Sequence, residues 1–366
     1  MKRAMRLFSA ALLFLLFLLP CDALEEEEPL PADNSWLKEV LGEDDAAAID
    51  SVVLLQDAAP TTLLQWIWES FSARASGLAP TAGLLLALLL AAFLCRSFFE
   101  GGEKETLSFA FSVLFALVLG EAVMAALRAV CAYLERLFVL LSSFSVVSAG
   151  LYIAGGNELT AAASAAGLSV TLSALSGAAS EIMAPAIGIF YCLGLSAAIS
   201  GVAVFEGLAK LFKNTMQFAL GGLCTVFCAM LVLQQQLAQS KDGIGARAVR
   251  FVLARSVPLV GGALSEAVRT VIGGIGAAKS IVGSGGLLAV LVVALSPLLL
   301  LFLYLWLFSA GKSLCVSFSL GRCGAVFEQS AAAITLLLAV CGFFTVAALL
   351  HMILLLCSGT ALGGSL

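Results

Sequence analysis

Residues 234–286 read QQQLAQSKDGIGARAVRFVLARSVPLVGGALSEAVRTVIGGIGAAKSIVGSGG, the one long interruption in a sequence that is otherwise almost continuously apolar. The stretch carries Lys241, Arg247, Arg250, Arg255, Arg269 and Lys279 against Asp242 and Glu266, in a chain whose net charge is −5. Clusters of this kind decide which loops stay on the cytoplasmic side of a membrane. From Ile244 to Val257 the arginines share one arc of a 3.6-residue helix, with Val249, Val252 and Leu253 opposite. Pro258 and Gly261-Gly262 then punctuate the run. From Leu264 a second apolar stripe follows, Leu264, Val268, Val271, Ile272 and Ile275, with Glu266, Arg269 and Thr270 on the other side. The pattern predicts two amphipathic helices joined at a Pro-Gly hinge, lying at the interface or dipping into it as a re-entrant hairpin. An ordinary solvated basic loop is the plainer alternative.

The rest of the chain sets the class. Of 366 residues, 61% are hydrophobic and 12% charged, and the mean hydropathy is +1.07. Soluble domains are roughly half apolar and a quarter charged, so the chain reads as an all-α, polytopic integral membrane protein. Packing in lipid depends on small residues and internal polar contacts, which suits the 34 glycines. The ten cysteines do not form a disulfide framework, because Cys95, Cys192, Cys224, Cys228, Cys341 and Cys357 sit inside apolar runs as small hydrophobes. His351 is the single histidine, so no metal site is expected.

In chain order, Lys2, Arg3 and Arg6, an apolar core from Leu7 to Leu19 and a short exit predict a secretory signal peptide over 1–23, cleaved after Ala23. That core is too short to span a bilayer. A lipoprotein reading, with Cys21 acylated, is weakened by Pro20. An acidic extracytoplasmic arm over 24–77 follows, with twelve acids and one base, Lys38, between Leu24 and Phe71. Then come about seven apolar segments long enough to span: Leu78–Phe98, Leu107–Leu127, Leu137–Ala154, Ile182–Phe205, Thr215–Leu233, Leu287–Phe308 and Ala331–Cys357. They make a multispanning domain over 78–366. Seven crossings from an external N-terminus put 234–286 inside, in accord with its basic charge, and the C-terminus inside as well.

Glu121 and His351 are the intramembrane ionisable residues that invite a functional role, since burying charge in lipid is costly. Glu121 lies seven residues before Arg128, on the same helical face; hydration near an interface is its plainer reading, and hydrogen-bonded packing is that of His351. Glu266 and Arg269 are most simply an i, i+3 pair. Gly311-Lys312-Ser313 is no phosphate loop, because Trp306 stands where the upstream glycine would be. No nucleophile, zinc or paired-carboxylate motif is present. No catalytic residue and no cofactor is expected.

The run Asp242-Gly243, Arg247-Ala248-Val249-Arg250-Phe251, Val257-Pro258-Leu259-Val260-Gly261, Ser265-Glu266-Ala267 and Thr270-Val271 resembles the stage III sporulation protein AE family of endospore-forming bacteria. The likeness extends from about Ser142 to the C-terminus, through the approach to Pro185, Leu208–Gly222 and Ser296-Pro297. It implies a non-enzymatic subunit of the channel-like or secretion-like complex in the mother-cell membrane around the engulfed forespore. The implied partners are other membrane subunits, ring-forming proteins and a cytoplasmic ATPase. In that setting Arg247, Arg250, Arg255, Pro258, Gly261, Glu266 and Arg269 would contact partners or anionic lipid. The rival is a self-sufficient secondary transporter coupled to protons through Glu121 or His351.

Overall fold

The computed structural model describes residues 60–99, 103–154, 182–202, 204–223, 225, 227, 229 and 261–360. Within them the fold is wholly helical: α1 Pro60–Phe98, α2 Glu103–Ala154, α3 Ala184–Ser200, α4 over 204–223, α5 Gly261–Ser317 and α6 Gly321–Thr360. Four are long and apolar enough to cross a membrane, over Ile67–Phe98, Glu103–Phe144, Gly286–Ser317 and Gly321–Met352, and α3 is a shorter apolar helix. The signal peptide, the arm up to residue 59 and the basic run up to residue 260 lie outside the described residues.

The expected count of seven spans is not what the described helices give. Leu107–Leu127 and Leu137–Ala154, expected as two crossings, are one uninterrupted 52-residue helix. The intervening Arg128, Glu135 and Arg136 are good helix formers, and nothing between them breaks the hydrogen-bond ladder. Nor does the second half of the expected hairpin form a separate element. Residues 264–275 run without a break into the apolar Leu287–Phe308 run as part of the 57-residue α5, in which Gly273, Gly274 and Gly276 are tolerated. At ~1.5 Å per residue, α2 and α5 are about 78 and 86 Å long, far beyond the roughly 30 Å of hydrocarbon.

Helix directions follow from the contacts at one end. The α5–α6 turn is a Schellman closure: Leu320 donates to the Cys315 carbonyl at 2.8 Å and Ser319 to that of Val316 at 3.0 Å, with Ser319 left-handed at φ 57°. Arg96, in the last turn of α1, donates to the Ser319 carbonyl. Arg322 pairs with Glu105 at 2.8 Å, and Phe93 stacks obliquely on Phe318 at 4.7 Å. Both connections, after Phe99 and at 318–320, therefore lie at one end, and Pro60, Ala154, Gly261 and Thr360 lie toward the other. Among the described residues the long helices thus make two hairpins pointing the same way.

The core is organised on α6. In its most apolar stretch 61% of residues are buried, against 22% in α1, so α6 is central and α1 peripheral. Gly311 on α5 admits the Phe327 ring of α6, which a Cβ there would overlap, and Phe327 meets Phe115 of α2 with ring centroids 5.3 Å apart. Gly194 on α3 likewise leaves room for the Gln329 side chain, whose amide reaches the Phe190 carbonyl at 3.4 Å. Gly286 on α5 lies under the Phe144 ring of α2. These close approaches are the use that membrane helices make of small residues.

Candidate functional site

The buried hydroxyls of the bundle come with partners. Tyr133 of α2 lies 2.7 Å from the Thr345 hydroxyl of α6, both buried. Thr345 directs its own proton to the Cys341 carbonyl at 2.7 Å, so the tyrosine is the donor. Tyr191 of α3 and Ser330 of α6 repeat the arrangement at 3.2 Å, with Ser330 bonded to the Val326 carbonyl at 3.0 Å. Arg74 of α1 donates to the Ser296 hydroxyl beside Pro297 of α5.

The outward face of α2 is different. Along that helix Leu114, Leu117, Glu121, Met124, Arg128, Ala132, Glu135 and Val139 are exposed, at steps of three or four. Phe115, Leu119, Ala122, Ala126, Val130, Tyr133, Leu137 and Leu140 are buried on the opposite face. Glu121, Arg128 and Glu135 thus form a column at seven-residue intervals, ~10.5 Å apart. None of the three forms an ion pair among the described residues. Glu121 lies close enough to Tyr304 of α5 for its charge to act on the phenol.

Depth gives the column its meaning. Counted along each helix from the connection end, the Lys312–Glu328 pair (3.0 Å) lies about 10 Å in, while Arg74 and Arg128 lie about 36–38 Å in. The interval between is close to the hydrocarbon thickness of a bilayer. Within it, along α1, α2, α5 and α6, Glu121 is the one charged residue. It sits about 10 Å inside the level of Arg128.

The other residues marked in the sequence fall elsewhere. His351 is buried on α6, beyond that interval, and its Nε2 has no hydrogen-bond partner. Gly261, Glu266 and Arg269 belong to the first three turns of α5, whereas Arg247, Arg250, Arg255 and Pro258 lie outside the described residues. The structure therefore does not bring Glu121 and His351 together. Sequence reading missed Glu135 as the third member of the column, although the seven-residue spacing was there to be counted. It also missed Tyr133 and Tyr191, which no motif marks. Among the described residues no cluster of three potential metal ligands occurs.

Comparison with curated proteins and with solved structures returned no match. The family model described as stage III sporulation protein AE matches residues 57–360. That range takes in every described helix, from just before α1 to the end of α6. On that coverage, the chain belongs to the stage III sporulation protein AE family.

Proposed function

We propose that the protein is a non-enzymatic membrane subunit of the channel-like or secretion-like assembly in the mother-cell membrane around the forespore. The family supplies the sporulation setting. The observation that carries the reading is the α2 column: the described residues give Glu121 no ion-pair partner inside the hydrocarbon, where an unmet carboxyl group is costly, whereas a neighbouring subunit can meet it. In this reading other membrane subunits flank the helical body, ring-forming proteins meet it outside the cytoplasm, and a cytoplasmic ATPase docks on the basic run containing Arg247, Arg250 and Arg255.

The test is a mild-detergent pull-down of tagged full-length protein from sporulating cells, read by mass spectrometry. Recovery of a secretion-type ATPase with ring-forming and membrane subunits is expected. Reversing Arg247, Arg250 and Arg255 to glutamate is expected to lose the ATPase while the protein stays in the membrane. A wild-type chain recovered alone, and moving a solute unaided in liposomes, would hand the function to a self-sufficient transporter.

A further inference from the structure

We infer that the outward face of α2 seats a transmembrane helix of a different protein, one that sets a lysine or arginine from within its apolar run against Glu121. The inference rests on the assembly reading above and adds the chemistry of one contact.

Glu121 is exposed, lies about 10 Å inside the boundary marked by Arg74 and Arg128, and has no ion-pair partner among the described residues. Charges inside a bilayer are met by other charges, by backbone carbonyls or by water. A water-filled path does not suit the flanks. Leu117 is 68% exposed, and Leu114 and Met124 are each 45% exposed, so the carboxylate stands in an apolar stripe of the kind that packs against a helix. Ala125 and Ala129 beside that stripe, both partly exposed, let a neighbouring backbone approach closely. Lipid covers Leu and Met well, but its phosphates lie at the boundary and do not reach Glu121.

The described spanning helices of a second copy do not supply the cation: α1, α5 and α6 carry no lysine or arginine at the depth of Glu121. A two-fold α2-to-α2 contact sets Glu121 against Glu121 and Arg128 against Arg128, and such like-charge contacts oppose association. The complementary helix carries its cation at the depth of Glu121 and an acidic or hydrogen-bond-accepting side chain about two turns nearer the far interface, opposite Arg128.

The experiment places a benzophenone amino acid at Leu117 of the full-length protein in sporulating cells, with Glu121 native, Glu121→Gln or Glu121→Lys. The native protein is expected to give one discrete protein adduct, and the adducted segment to be an apolar helix containing Lys or Arg. Both variants are expected to lower its yield by about tenfold, and reversing the partner's cation to Glu alongside Glu121→Lys to restore it. A probe at Leu84, on the exposed face of α1, is expected to give the same products in all three backgrounds. An adduct indifferent to Glu121→Gln overturns the inference, because a neutral carboxyl then suffices. Lipid adducts alone at Leu117 overturn it too. If those results come while the pull-down still recovers the assembly, the helix contact fails and the assembly reading stands. If the wild-type chain comes down alone, both fail.

Discussion

The hydroxyls on the inner surface of α6 and the charged groups on the outer surface of α2 stand in opposite situations. On α6, Ser330 and Thr345 each bond back to their own helix and receive a tyrosine from a neighbour, so every hydroxyl has a use. On the outer face of α2, Glu121, Arg128 and Glu135 stand in a column with no ion pair among the described residues. Inside a membrane domain an unsatisfied polar group is costly. The contrast therefore separates what the chain completes by itself from what it leaves to a neighbour: α6 finishes a core, and α2 presents a contact.

The sharpest way to break that contrast is to test whether α2 is one crossing at all, because the column is a single face only if the helix is continuous. An impermeant label reporting on residues 100–102 and another on 318–320 are expected to read the same side of the membrane, and a tag after residue 360 the opposite side. The outcome is all or none. Seven alternating crossings would instead split the first two labels and put 100–102 with the C-terminus.

The next largest effect belongs to the α5–α6 seam. Gly311→Leu would set a branched side chain where the Phe327 ring lies, and Phe327 is itself buried against Phe115. Overpacking of this kind costs about 1–3 kcal/mol, toward the upper end when the neighbour cannot move away. Loss of folded protein in detergent is expected, measured by the fraction surviving heating. Glu121→Gln in the same assay is expected to behave as wild type, since nothing on the described chain packs its stability onto that carboxylate. Equal stability of Gly311→Leu and wild type would mean that the seam is not the core.

Much of this architecture is legible in the sequence, and its failures have physical causes. Apolar content and run lengths identify a helical membrane protein, because lipid admits few other solutions. Glu121 and Arg128 can be placed on one face by counting. The crossing number is not legible, because Arg128, Glu135 and Arg136 look like a loop by hydropathy and yet are good helix formers. The tyrosine–hydroxyl links could not be foreseen either, since Tyr133 and Thr345 are 212 residues apart and only packing brings them together.

The smallest effect probes the inner half of the contrast. Tyr133→Phe removes one buried hydrogen bond but leaves Thr345 bonded to the Cys341 carbonyl, so no group is orphaned, and a loss of about 1 kcal/mol is expected. Thr345→Val leaves the Tyr133 hydroxyl buried without an acceptor and is expected to cost about 2 kcal/mol. In the double variant the orphaned phenol is gone, so its cost is expected to fall below the sum of the two singles. Thermal midpoints of the four proteins in one detergent check the ordering. A strictly additive cycle would mean that the two hydroxyls do not act as a pair, and that α6 finishes its core by shape alone.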